Sequence, residues 1–125
     1  MTLRLNQTMA SFDSPEMLRA LASMENGGYS NAFELLVPLA QTGNPKAQCD
    51  LANLYHFGWG VKVDAEKAIE LYRKVAQQNI REEYLSGLAY QSLATIYITG
   101  LPGIQPNVGR AAEFATRAKE LGFKM

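Results

Sequence analysis

Cys49, Asn53 and His56 supply the thiol, carboxamide and imidazole from which a thiol hydrolase is built. Their spacings of four and three residues put them along one face if this stretch is helical. The distances argue against the reaction. Cys49 and His56 are seven residues apart, about 10 Å along a helix axis, whereas a nucleophile and its base must approach to roughly 3 Å. The chain has one Cys and one His, so no second residue of either type can replace them. The other reading of the trio is a polar groove lining with a half-buried thiol. A metal site fails for the same scarcity: Asp50 and His56 lack an i,i+4 spacing and no further His completes a ligand set. No catalytic residue, metal ligand or cofactor site is expected.

Gly58-Trp59-Gly60 followed by Lys62 suggests a loop that cradles phosphate. Such a loop needs a strand before it and a helix whose first amides point at the anion. Here it joins helix to helix, so its glycines are read as making a tight turn. Trp59 has two readings, packing across the end of its own helix pair or standing exposed as an anchor for a partner.

What must position these residues is a repeat. Ala47, Leu51, Ala52 and Tyr55 recur 42 residues later as Ala89, Leu93, Ala94 and Tyr97. Each set is followed by a glycine loop, 58–61 and then 100–104, and by a further helical stretch. There Lys67, Ala68 and Glu70 recur as Arg110, Ala111 and Glu113 at an offset of 43. Ala32, Glu34, Leu35 and Ala40 match Ala68, Glu70, Leu71 and Ala76 at an offset of 36. Apolar stripes at helical spacing run through Ala65, Ala68, Ile69, Tyr72 and Ala76, and through Val108, Ala111, Ala112, Ala115 and Ala118. Ser14, Asn44, Asp64 and Asn107 are placed as N-caps, with Pro15 and Pro45 at first helical positions. Gly43, Asn79 and Gly122 suit helix ends, and Pro38 should bend its helix. The reading is all-α, an α/α superhelix (solenoid) of three antiparallel pairs, with helices at about 15–25, 30–42, 45–57, 65–78, 83–99 and 108–121. The pairs occupy about 14–43, 44–79 and 83–122, after an N-terminal extension of 1–13.

Composition removes other classes. At 125 residues and 13.8 kDa there is one domain's worth of chain. Twelve Lys and Arg balance twelve Asp and Glu, and neither half of the chain is strongly basic, so no nucleic acid partner is expected. Tyr55, Tyr72, Tyr97 and Phe114 fall on core stripes rather than on a base-stacking platform. Lys67, Glu70, Arg73 and Lys74 leave no broad apolar face for a membrane surface. No signal peptide is evident in 1–13 and no run reaches the roughly 18 apolar residues of a span, so a cytoplasmic location is expected.

The order Leu36-Val37-Pro38-Leu39-Ala40, Gly43-Asn44, Ala47-Gln48, Leu51-Ala52, Leu54-Tyr55, Gly58, Gly60-Val61, Asp64, Lys67-Ala68 and Tyr72 resembles the Sel-one-like repeat family, relatives of tetratricopeptide repeats. The third copy departs from it by carrying Ala115 where Tyr72 stands, and the first lacks the glycine loop. The resemblance implies a superhelix that binds proteins, most often in bacteria, without catalysis of its own.

The expected function is therefore non-catalytic binding of a partner protein or peptide on the concave face, as an adaptor or as an inhibitor of the bacterial immunity-protein kind. With Leu51, Ala52 and Tyr55 turned toward neighbouring helices, the outward positions of the first helices are Lys46, Cys49, Asn53 and His56, then Leu88, Gln91, Thr95 and Ile98. Partner contact is expected at Lys46, Cys49, Asn53, His56, Trp59, Gln91, Thr95 and Ile98. The competing readings are a small thiol enzyme using Cys49 and His56, and a structural repeat that forms a homodimer through an apolar C-terminal end at Leu121, Phe123 and Met125.

Overall fold

The computed structural model describes residues 14–78 and 83–123; the extension 1–13, the Asn79 helix end and Met125 lie outside them. Six helices follow in order: α1 Pro15–Glu25, α2 Tyr29–Gln41, α3 Pro45–Phe57, α4 Ala65–Gln77, α5 Glu83–Thr99 and α6 Val108–Glu120. Among the described residues there is no strand, and a single bridge links Leu101 and Ile104 in the last loop.

Local chemistry starts the helices where the caps predict. The side chains of Ser14, Asn44, Asp64 and Asn107 accept the backbone N–H three residues on, at 3.0–3.2 Å. Each satisfies a donor that the first helical turn leaves open. α2 begins one residue earlier than the spacing suggests, behind Gly28 and without a side-chain cap, and it continues through Pro38 to Gln41. The two glycine loops close alike, since the N–H of Asp64 bonds the Tyr55 carbonyl at 3.0 Å and that of Asn107 bonds the Tyr97 carbonyl at 2.7 Å.

Each helix packs on the next in sequence, and α3 also touches α5. Tyr72, Met17, Leu36, Leu54, Leu93, Ile96 and Val75 are fully buried between them, each apolar side chain worth roughly 1.5–3 kcal/mol of transfer free energy. Ala32, Ala52, Ala68, Ala89 and Ala94 have no exposed surface and let the helix axes come close. The stripe on α4 is buried throughout, but that on α6 is corrected. Ala111 and Ala118 are buried, whereas Val108 and Ala112 face outward, because no described helix follows α6 to cover its far side.

Two glycines mark close approaches. A Cβ on Gly60 would overlap the backbone of Tyr29 and Ser30, so the loop of the second pair lies directly on the start of α2. A Cβ on Gly87 would overlap the Phe123 ring, which folds back on α5 and also meets Tyr84 at 5.5 Å between centroids. That contact removes one motive for the homodimer, because Phe123 is engaged by its own chain.

Candidate functional site

The third helix is flanked by α2, α4 and α5, so few of its side chains can face outward. Cys49 and His56 are interior, at 3% and 7% exposure, and a partner cannot reach them as the outward positions were expected to allow. The correction has a simple cause. Expecting only Leu51, Ala52 and Tyr55 to point inward treats α3 as half-exposed, whereas three neighbours enclose it.

Tyr72 reaches across from α4 to organise the polar atoms in this interior. Its hydroxyl donates to Asn53 Oδ1 at 2.5 Å and lies 3.1 Å from His56 Nδ1. With the Tyr72 proton directed at Asn53, Nδ1 carries a hydrogen and donates in turn. Burial lowers the His56 pKa, which favours that neutral ring. Burial raises the Tyr72 hydroxyl as well, with Cys49 nearby adding to the rise and a hydrogen bond with Ser92 offsetting part of it. Asn53 is half-buried and held, so it differs from a free groove residue.

The same surroundings quench the thiol. Burial, helped by the charge of Asp50, pushes Cys49 up to about 12. An attacking cysteine needs the opposite shift, and the imidazole is bonded to Tyr72 instead. Asp50 is itself raised to about 6 by burial, with Lys46 pulling it partly back, and its Oδ2 is buried without a hydrogen-bond partner. No group of three or more metal-ligating side chains occurs among the described residues.

The accessible candidates lie elsewhere. Thr95 and Ile98 are exposed, while Lys46 and Gln91 are half-buried. The Thr95 hydroxyl donates to the Gln91 carbonyl of its own helix at 3.0 Å. Trp59 combines both of its readings: it stacks on Tyr29 at 5.4 Å and on Phe57 at 4.8 Å, yet is 42% exposed. Phe57, 52% exposed and stacked on His56 at 4.1 Å, is the member the sequence reading passed over. Its position beside the Gly58 turn was the available signal. Phe57 and Ile98 stand near the C-terminal ends of α3 and α5, two first helices that touch, and Trp59 follows Phe57 by two residues.

Helix pairs stacked each on the next, with their caps and glycine loops repeated, define a helical-repeat scaffold. The chain belongs to the Sel1 repeat family, whose model matches residues 45–80 and 87–123. Members of this family generally mediate protein–protein interaction and are generally non-enzymatic. Chitin synthase regulatory factor 3 of Schizosaccharomyces pombe is 32% identical over 87 residues, which make up 70% of this chain and 9% of that protein. A protective antigen of uropathogenic Escherichia coli displaying an SLR fold superposes with a TM-score of 0.72 at 29% identity, over 86% of this chain and 22% of the antigen. A Sel1 repeat protein from Oxalobacter formigenes gives 0.58 at 29% identity, over 74% of this chain and 34% of its own. The chain thus spans about a third or less of each of these relatives. No helix among the described residues is long and apolar enough to cross a membrane.

Proposed function

We propose that the chain recruits a partner protein on the side formed by its first helices, at the end where Phe57, Trp59 and Ile98 emerge. The observation that carries the reading is the exposed aromatic pair, which is pre-stacked on Tyr29 and His56. A rigid aromatic anchor loses little side-chain entropy on binding and is enriched among residues that dominate interface energy. Thr95 and Gln91 extend the surface along α5. α3 and α5 touch, so two of the first helices form one continuous side. On this reading Cys49 and His56 leave the contact set, and Asn53 contributes through its half-buried amide. The role is that of an adaptor or an inhibitor in the cytoplasm, a setting that suits a single free cysteine. The fission yeast relative is a regulatory factor by name, which agrees with regulation by contact.

The test is a photo-crosslinking residue placed at Thr95 or Ile98, with Leu18 as an exposed control far along the array. Capture of a partner from position 95 or 98 and not from 18 is expected. With that partner in hand, the double variant Thr95→Arg, Ile98→Arg should bind about tenfold more weakly at an unchanged melting temperature. Full affinity in the double variant would sink the proposal.

A further inference from the structure

The second helices carry a different surface. Between α4 and α6, floored by α5, lies a cleft of about 350 Å³ into which Arg73, Arg110 and Arg117 turn, with Glu113 as the one carboxylate. Each guanidinium rests over an aromatic ring, Arg73 over Phe114 at 5.6 Å, Arg110 over Tyr97 at 5.6 Å and Arg117 over Tyr90 at 5.9 Å. Arg110 Nη1 also donates to Tyr97 Oη at 3.4 Å. Among the described residues none of the three forms an ion pair; the pair present is Lys74 with Glu70 at 3.6 Å. A guanidinium laid on an aromatic face keeps its N–H edge free and fixed in direction, the arrangement that accepts a carboxylate through two parallel hydrogen bonds.

The preceding repeat supplies a comparison within the same molecule. A cleft of about 250 Å³ between α2 and α4 is lined by Lys67, Glu70, Leu71 and Lys74 where the later one has Arg110, Glu113, Phe114 and Arg117. Lys67 sits over Tyr55 at 5.4 Å as Arg110 sits over Tyr97. The framework is therefore repeated, but in the earlier cleft Lys74 is neutralised by Glu70 and the counterpart of Arg73 is Val37. The later cleft has exchanged each lysine for the residue that forks, added a third cation, and put an aromatic shelf in place of leucine.

We propose that the α4–α6 cleft binds an acidic peptide segment, seating at least two of its Asp or Glu carboxylates on Arg73, Arg110 and Arg117. Three cations against Glu113 leave the cleft electropositive in a chain whose formal net charge is zero. A nucleic acid backbone fits less well, because Glu70 and Glu113 interrupt the basic line at each repeat and would face its phosphates. The site stands apart from the first-helix surface and does not depend on it.

The experiment is a fluorescence-anisotropy titration of the full chain with a fluorescein-labelled hexaglutamate peptide at low salt, with hexaglutamine as control. Saturable binding of hexaglutamate alone is expected, weakened about tenfold in Arg110→Gln, Arg117→Gln and several-fold in the paired Arg→Lys variant, which keeps charge and loses the fork. The arginine Nε–H resonances of the unaltered protein should shift on adding peptide, a readout independent of how the variants fold. Undiminished binding in the Gln variant, or static Nε–H resonances, would overturn the proposal. Tighter binding of a phosphoserine peptide by more than about tenfold would overturn the carboxylate assignment in favour of phosphate.

Discussion

The hydroxyl of Tyr72, on a ring with no exposed surface, donates to the side-chain oxygen of Asn53 at 2.5 Å. This bond ties the second helix of one pair to its first helix through the protein interior. In the next pair both ends of the bond are replaced, with Ala115 at the place of Tyr72 and Thr95 at the place of Asn53. There the Thr95 hydroxyl bonds the Gln91 carbonyl of its own helix and needs no partner from the second helix.

Tyr72→Phe should therefore destabilise the protein by about 1–3 kcal/mol, since the ring volume is kept while Asn53 and His56 each lose a buried partner. Urea denaturation monitored by circular dichroism measures it. An unchanged midpoint would mean that the bond contributes nothing net.

Two glycines with similar backbone angles should respond differently to alanine. Gly43 has φ +95° and open space where a Cβ would go, so Gly43→Ala should cost about 1 kcal/mol from the left-handed conformation alone. Gly60 has φ +75° and its Cβ would overlap the Tyr29 backbone, so Gly60→Ala should cost that and a further 1–3 kcal/mol, about as much as overpacking elsewhere. Equal melting temperatures for the two variants would show that the loop does not bear on α2.

Cys49 should be inert while the chain is folded. With the thiol at about 12 and the side chain buried, alkylation at pH 8 should run at least about a hundredfold slower than in denaturant. Rapid labelling of the native protein would contradict the burial.

Asp50 makes stability depend on pH with a definite sign. Its folded value, about 6, lies above the ordinary 3.8, so between these the folded chain holds more of the proton than the unfolded one. Its contribution is then present at low pH and lost as pH rises from about 4 through about 6. Asp50→Asn should gain stability over the parent at pH 7.5 relative to pH 4.5, by up to about 2 kcal/mol. Parallel urea titrations at the two pH values measure the difference, and parallel curves would refute the assignment.

The helix pairs were legible because three kinds of signal coincide in sequence. Repeated small and apolar positions, Asn or Asp caps and glycine loops fall at nearly constant offsets, and each has a local physical cause. The buried side of α3 was not legible in the same way. Whether Cys49 and His56 face solvent depends on how many helices surround α3, a property of the stack rather than of any one helix. The exchange of Tyr72 and Asn53 for Ala115 and Thr95 was visible in the sequence, and its meaning needed the distance between them. Likewise Lys67 and Lys74 align with Arg110 and Arg117 by simple counting, but only the separation of α4 from α6 turns that alignment into a cleft.

Trp59 is the chain's one tryptophan, and it stacks on Tyr29, a residue of the preceding pair. The molecule consequently carries its own optical gauge at the seam between its first two pairs. In a linear array each pair is held only by its neighbours, so an end pair can detach while the rest persists. Loosening of α1 and α2 would bare the indole to water and redden its emission before the far-ultraviolet signal of the remaining helices falls. The lag between the two signals on heating would thus read out how firmly the first pair is fastened, without any label being attached.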